Sequence, residues 1–67
     1  MSAIKVIEMV GTSRNNWTDA ANNAVLEASK SLEGMLGVEA SNFTATIENG
    51  RIAEYKVDVK IVYCVKP

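Results

Sequence analysis

The chain has 67 residues, a net charge of −1 from seven basic and eight acidic residues, no histidine and one cysteine. This length gives a single domain, residues 1–67, and a domain so small hides only ~60% of the surface that its unfolded chain exposes. Cys64 has no partner in the chain for a disulfide, and one thiol without histidine builds no zinc site. No basic stripe offers a nucleic-acid footprint, and no apolar run approaches the ~20 residues of a membrane span. Partner subunits are the support that remains.

In chain order, Met1-Ser2-Ala3-Ile4-Lys5 lacks the features of a signal peptide, so the cytoplasm is the expected compartment. Asn16-Trp17-Thr18 and Asn42-Phe43-Thr44 match the glycosylation sequon and are read as chance there. Residues 3–10 are β-branched and apolar and predict a first strand with apolar side chains on both faces. Gly11-Thr12-Ser13 is expected to break that strand and turn into a helix. It lacks the glycines and lysine of a phosphate-binding loop.

Asn16 is a good N-cap, and Asp19 falls in the first turn, where the helix dipole favours an acid. Trp17, Ala20, Ala21, Ala24, Val25, Ala28 and Leu32 then recur at spacings of three and four, one apolar stripe that is mostly alanine. Gly34 or Gly37 is expected to supply a left-handed C-cap.

The remainder predicts a β-hairpin around Asn49-Gly50, because both residues tolerate the positive φ of a tight type I′ turn. With these as the loop, Glu48 opposes Arg51, Thr44 faces Tyr55, Asn42 faces Val57, Ala40 faces Val59 and Val38 faces Ile61. Tyr55, Val57, Val59, Ile61, Tyr63 and Val65 are assigned to the helix side, and Glu54, Lys56, Asp58 and Lys60 to the opposite one. Phe43, Ala45, Ile47, Ile52, Val62 and Cys64 are assigned to that second face too, which one helix cannot cover. A last strand from Arg51 to Lys66 would be ~50 Å long at ~3.3 Å per residue. A compact globule of this size is only about 28 Å across.

No catalytic set is present. Histidine, the commonest general base, is missing, and Cys64 reads as a packed strand residue. Glu39, Glu48, Glu54 and Asp58 do not follow the spacing of a calcium loop and read as solvated carboxylates. Trp17 opens the helical stripe and reads as core or interface rather than a stacking platform. The alternating row Glu54, Lys56, Asp58, Lys60 is either an exposed face with weak ion pairs or a ladder matched to a neighbouring subunit.

Three stretches together resemble the dodecin family: Lys5-Val6-Ile7-Glu8-Met9-Val10-Gly11-Thr12-Ser13, the alanine-rich helix ending near Ser29-Lys30-Ser31-Leu32, and Ile47-Glu48-Asn49-Gly50-Arg51-Ile52-Ala53-Glu54-Tyr55-Lys56-Val57. The resemblance implies an α+β fold, β-α-β-β, with a three-stranded antiparallel sheet wrapped around one helix. It also implies a hollow homo-dodecamer that stores or quenches flavins without turning them over. The family's flavin-stacking tryptophan falls on Gly37, and its flavin-binding glutamine on Lys56. Neither residue matches, so no cofactor-binding, catalytic or metal residue is assigned and the cofactor stays open. The expected function is a homo-dodecameric container for a small ligand. The alternatives are a cage with no flavin, or one that takes a different anionic small ligand. A small enzyme ranks last.

Overall fold

The structure, a computed structural model, describes residues 3–65. The elements follow in the order β1 (Ala3–Ser13), α1 (Trp17–Ser29), β2 (Met35–Glu48) and β3 (Arg51–Val65). The three strands form one antiparallel sheet in the order β1-β3-β2, with the helix on one face, an α+β unit as expected. The expected end of the last strand at Lys66, and Met1 and Ser2 of the N-terminal stretch, lie outside the described residues.

Strand β1 does not break at Gly11. It runs on through Thr12 and Ser13, which pair with Lys56 and Tyr55 of β3. The glycine serves a close approach instead. It is buried opposite Val57, and a Cβ placed there would run into the backbone carbonyl of Ala20 and lie 3.0 Å from the Ala24 methyl. The turn comes later. Ser13 Oγ accepts from the Asn15 amide at 2.9 Å and donates to Asp19 Oδ2 at 2.7 Å. Asn16 then caps the helix, its Oδ1 accepting from the Asp19 amide at 2.6 Å.

The helix seats Ala20, Ala24 and Ala28 on Val57, Val59 and Ile61, and these six residues are the buried hydrophobic core. Ile7, Met9, Trp17, Ala21, Val25, Leu32 and Met35 close its margins. Neither expected glycine ends the helix. Lys30 closes it in the right-handed conformation, and the last turn tightens through Ser31 N–H to the Ala28 carbonyl at 3.1 Å. Gly34, at φ +72°, turns the chain into β2 instead, and Gly37 lies within that strand. Glu27 accepts from Lys30 Nζ at 2.8 Å, a hydrogen bond that raises the lysine pKa. Both side chains are exposed, so the pair adds little to stability.

The Asn49-Gly50 turn stands as expected, with φ of 55° and 75°. Glu48 opposes Arg51, Ala40 opposes Val59 and Val38 opposes Ile61, also as expected. Between these points the register slips twice. Ala53 is extra on β3, so Tyr55 faces Ala45 and not Thr44. Asn42 and Phe43 together oppose Val57, which restores the original count. Each slip is a β-bulge, and an extra residue inverts the in–out alternation beyond it. Ala45 therefore shares the helix side with Tyr55, and Phe43 meets Trp17 with ring centroids 6.3 Å apart. Both had been assigned to the opposite face. By the same pairing, the cross-strand pair Ile47–Ile52 moves to the helix side.

Replacing Gly11 with alanine is expected to lower stability by about 2–3 kcal/mol, the cost of forcing a methyl into a packed contact. Urea unfolding followed by circular dichroism checks this. An unchanged midpoint would mean that the helix does not press on β1 at this position.

Candidate functional site

The sheet face turned away from the helix holds every position with a candidate binding role. Three aligned strands set its residues in rows. Ile4 lies beside Cys64, and Val6, Val62 and Gly37 form an apolar row at one end. Glu8, Lys60 and Glu39 follow, then Val10, Asp58 and Ser41, then Thr12, Lys56 and Thr44. Glu54, Lys56, Asp58 and Lys60 thus share this face, as their alternation implied.

Gly37 has nothing within 4 Å of where a Cβ would stand. It borders a groove of about 310 Å³ lined by Val25, Met35, Leu36, Val38 and Ile61. Lys56 is half-buried in a second groove of about 280 Å³, with Val10, Asn42, Thr44, Val57 and Asp58. Gly37 pairs with Val62, six residues along β3 from Lys56, which separates the two positions by ~20 Å. One chain does not bring them together.

The bulge beside Lys56 is the feature that sequence patterning missed. Asn42 adopts φ 52°, and its Nδ2 donates to Asp58 Oδ2 at 3.2 Å. Asparagine tolerates the left-handed region, so an asparagine inside an otherwise alternating strand was the available signal. Trp17 braces the bulge from the other side. Its Nε1 donates to the Thr44 carbonyl at 2.8 Å, and its ring meets Tyr55 edge-on at a centroid distance of 4.8 Å. Trp17 is thus a packing residue, as expected, and holds the helix start against the hairpin. Both sequon asparagines have internal partners, Asn16 as the helix cap and Asn42 on Asp58. Cys64 is half-buried, its amide donating to the Gly34 carbonyl at 3.0 Å. Among the described residues, no three of Cys, Asp and Glu gather as they would around a metal ion.

Residues 3–66 match the sequence model of the dodecin family. The chain belongs to that family. Among solved structures, dodecin from Streptomyces coelicolor superposes with a TM-score of 0.95 at 30% identity, over 98% of this chain and 94% of that one. An arginine-to-alanine variant of the Thermus thermophilus dodecin gives 0.95 at 25% identity, over 100% of both chains. A third dodecin is the calcium-chelating immunodominant antigen of Mycobacterium tuberculosis, described with a novel calcium-binding site. It gives 0.83 at 26% identity, over 97% of this chain and 93% of that one. No curated protein matches the chain.

Substituting Asn42 tests how firmly the bulge holds this dodecin face. Asn42→Val places a β-branched residue at positive φ and loses the Asp58 contact, which should cost about 2 kcal/mol. Asn42→Gly should cost under ~1 kcal/mol, because glycine accepts the conformation. Thermal unfolding of both variants checks the ordering, and equal losses would refute the role given to backbone conformation.

Proposed function

We propose that this dodecin assembles as a homo-dodecamer in the cytoplasm and acts as a container for a small ligand, without catalysing a reaction. The observation that carries the reading is how much apolar surface one chain leaves uncovered. Ile4 is 64% exposed and Val10 61% on β1, and Leu36 is 64% and Ile47 71% exposed on β2. Soluble monomers rarely expose such surface over so much of a sheet. The shape points the same way. The molecule measures 53 × 20 × 12 Å with a radius of gyration of 13.8 Å. A compact chain of this length has about 11 Å. A lath this thin keeps little interior of its own, and neighbouring copies would supply the rest. The absence of histidine from the sequence supports a binding role over general acid–base turnover.

Light scattering on a size-exclusion column should give about 86 kDa, twelve times the 7.2 kDa of one chain. A monomer or dimer at micromolar concentration would refute the assembly.

The flavin of other family members does not carry over. Gly37 offers no ring to stack, and stacking contributes ~1–3 kcal/mol per aromatic face if base–aromatic contacts are a guide. Lys56 donates hydrogen bonds but cannot accept one from a flavin ring N–H, where an amide does both. The native protein should therefore fail to quench riboflavin fluorescence at submicromolar concentration. Gly37→Trp combined with Lys56→Gln should tighten binding by ~100-fold or more, at ~1.4 kcal/mol per tenfold. The open space at Gly37 leaves room for the larger side chain within one chain. No gain in an assembled double variant would show that the walls of the site differ as well.

A further inference from the structure

Two lysines on the face away from the helix stand in opposite settings. Lys60 lies between Glu8 on one neighbouring strand and Glu39 on the other, so acids flank it from both sides. Lys56 lies between Thr12 and Thr44, and hydroxyls flank it instead. Strands are ~4.8 Å apart, so the row Thr12–Lys56–Thr44 spans about 10 Å with the ammonium-bearing chain at its centre. It presents three donors and no acid of its own. Lys56 is half-buried in the groove of about 280 Å³, whose side wall is the exposed Val10.

The acids nearest along β3 are Glu54 and Asp58. Asp58 has one carboxylate oxygen engaged by the Asn42 amide at 3.2 Å. Among the described residues, the one ion pair closer than 4.0 Å is Lys30–Glu27, far from this row. Lys56 is thus a cation flanked by hydroxyls in a groove that Asp58 also lines, with no carboxylate within 4.0 Å of its ammonium among the described residues.

We propose that the Thr12–Lys56–Thr44 row binds the oxyanion head of a small ligand, with a phosphate monoester as its chemical class. A phosphate keeps three oxygens beyond its ester link, enough to take the ammonium and both hydroxyls. A carboxylate has two and leaves one donor unmatched. Charge-assisted hydrogen bonds of this kind are stronger than neutral ones. Val10 gives the organic part an apolar wall. The inference rests on the ligand-binding reading above; the row itself lies within the sheet of one chain, so phosphate binding and particle mass are read separately.

The test uses inorganic phosphate as probe, titrated calorimetrically into the native protein, with the particle mass of each sample measured by light scattering. Acetate at matched ionic strength separates the two oxyanion classes. Phosphate should bind the native protein, and acetate at least several-fold more weakly. Lys56→Gln should weaken phosphate about tenfold or more, which is the scale of a lost charged hydrogen bond. Lys56→Arg should retain binding, and Lys60→Gln should leave it unchanged. Thr44→Val, which keeps the lysine, should weaken it several-fold and gives a second readout if Lys56→Gln does not fold. No phosphate binding by the native protein at millimolar concentration overturns the proposal. So does equal binding by Lys56→Gln, or a loss in Lys60→Gln as large as that in Lys56→Gln. A dodecamer without phosphate binding refutes this site alone, and phosphate binding by a smaller particle refutes the assembly alone.

Discussion

The fold depends on a helix lying unusually close to a sheet. Ala20, Ala24 and Ala28 face the sheet with side chains of one carbon, and Gly11 beneath them has none. That contact lets so short a chain bury anything. It also limits what is buried, because alanine hides little apolar area and the hydrophobic contribution scales with area removed from water. The six buried core residues are three alanines, two valines and one isoleucine. The larger apolar side chains, Phe43, Ile47, Leu36 and Ile4 among them, remain at the surface. The same feature that makes the helix fit leaves the chain short of interior.

Much of this architecture was legible in the sequence, and the exceptions have physical causes. The helix start was readable because an N-cap is a local device: Asn16 Oδ1 accepts from the Asp19 amide three residues on. The hairpin turn was readable because Asn-Gly favours positive φ wherever it stands. The register was readable beside the turn and again from Ser41 to Gly37. Two bulges of opposite sign, at Ala53 and at Asn42–Phe43, cancel between Ala53 and Asp58 of β3. A count from the turn is therefore right again by Ser41 and wrong between, where Phe43 and Ala45 change face. Gly11 was misread because glycine has two uses. Sequence shows that a side chain is missing but not whether the backbone needs freedom or a neighbour needs room. In the candidate site, Lys56 and Gly37 were locatable through family resemblance. The flanking of Lys56 by Thr12 and Thr44 required the register that the bulges conceal.

The face away from the helix shows how a sheet assigns different environments to like residues. Lys56 and Lys60 are four residues apart on the same face of β3, and nothing in their immediate sequence separates them. Their cross-strand neighbours do, since opposite charges placed side by side stabilise a sheet and hydroxyls leave a charge available. The distinction comes from β1 and β2, dozens of residues away in the chain.

Strand order has a consequence for how the molecule is made. The central strand of the sheet, β3, is the last in sequence. Until it leaves the ribosome, β1 has no strand to pair with and the alanine face of α1 lacks Val57, Val59 and Ile61, the rest of its core. The hairpin can close locally through its two-residue turn, but docking β1 joins residues as distant as Ala3 and Val65. Contacts of that sequence separation slow folding, because the loop they close must be ordered before they form. The N-terminal half therefore waits as an open chain with apolar strand residues exposed. Its capture by β3 is the step at which a nascent subunit is most open to pairing with another copy.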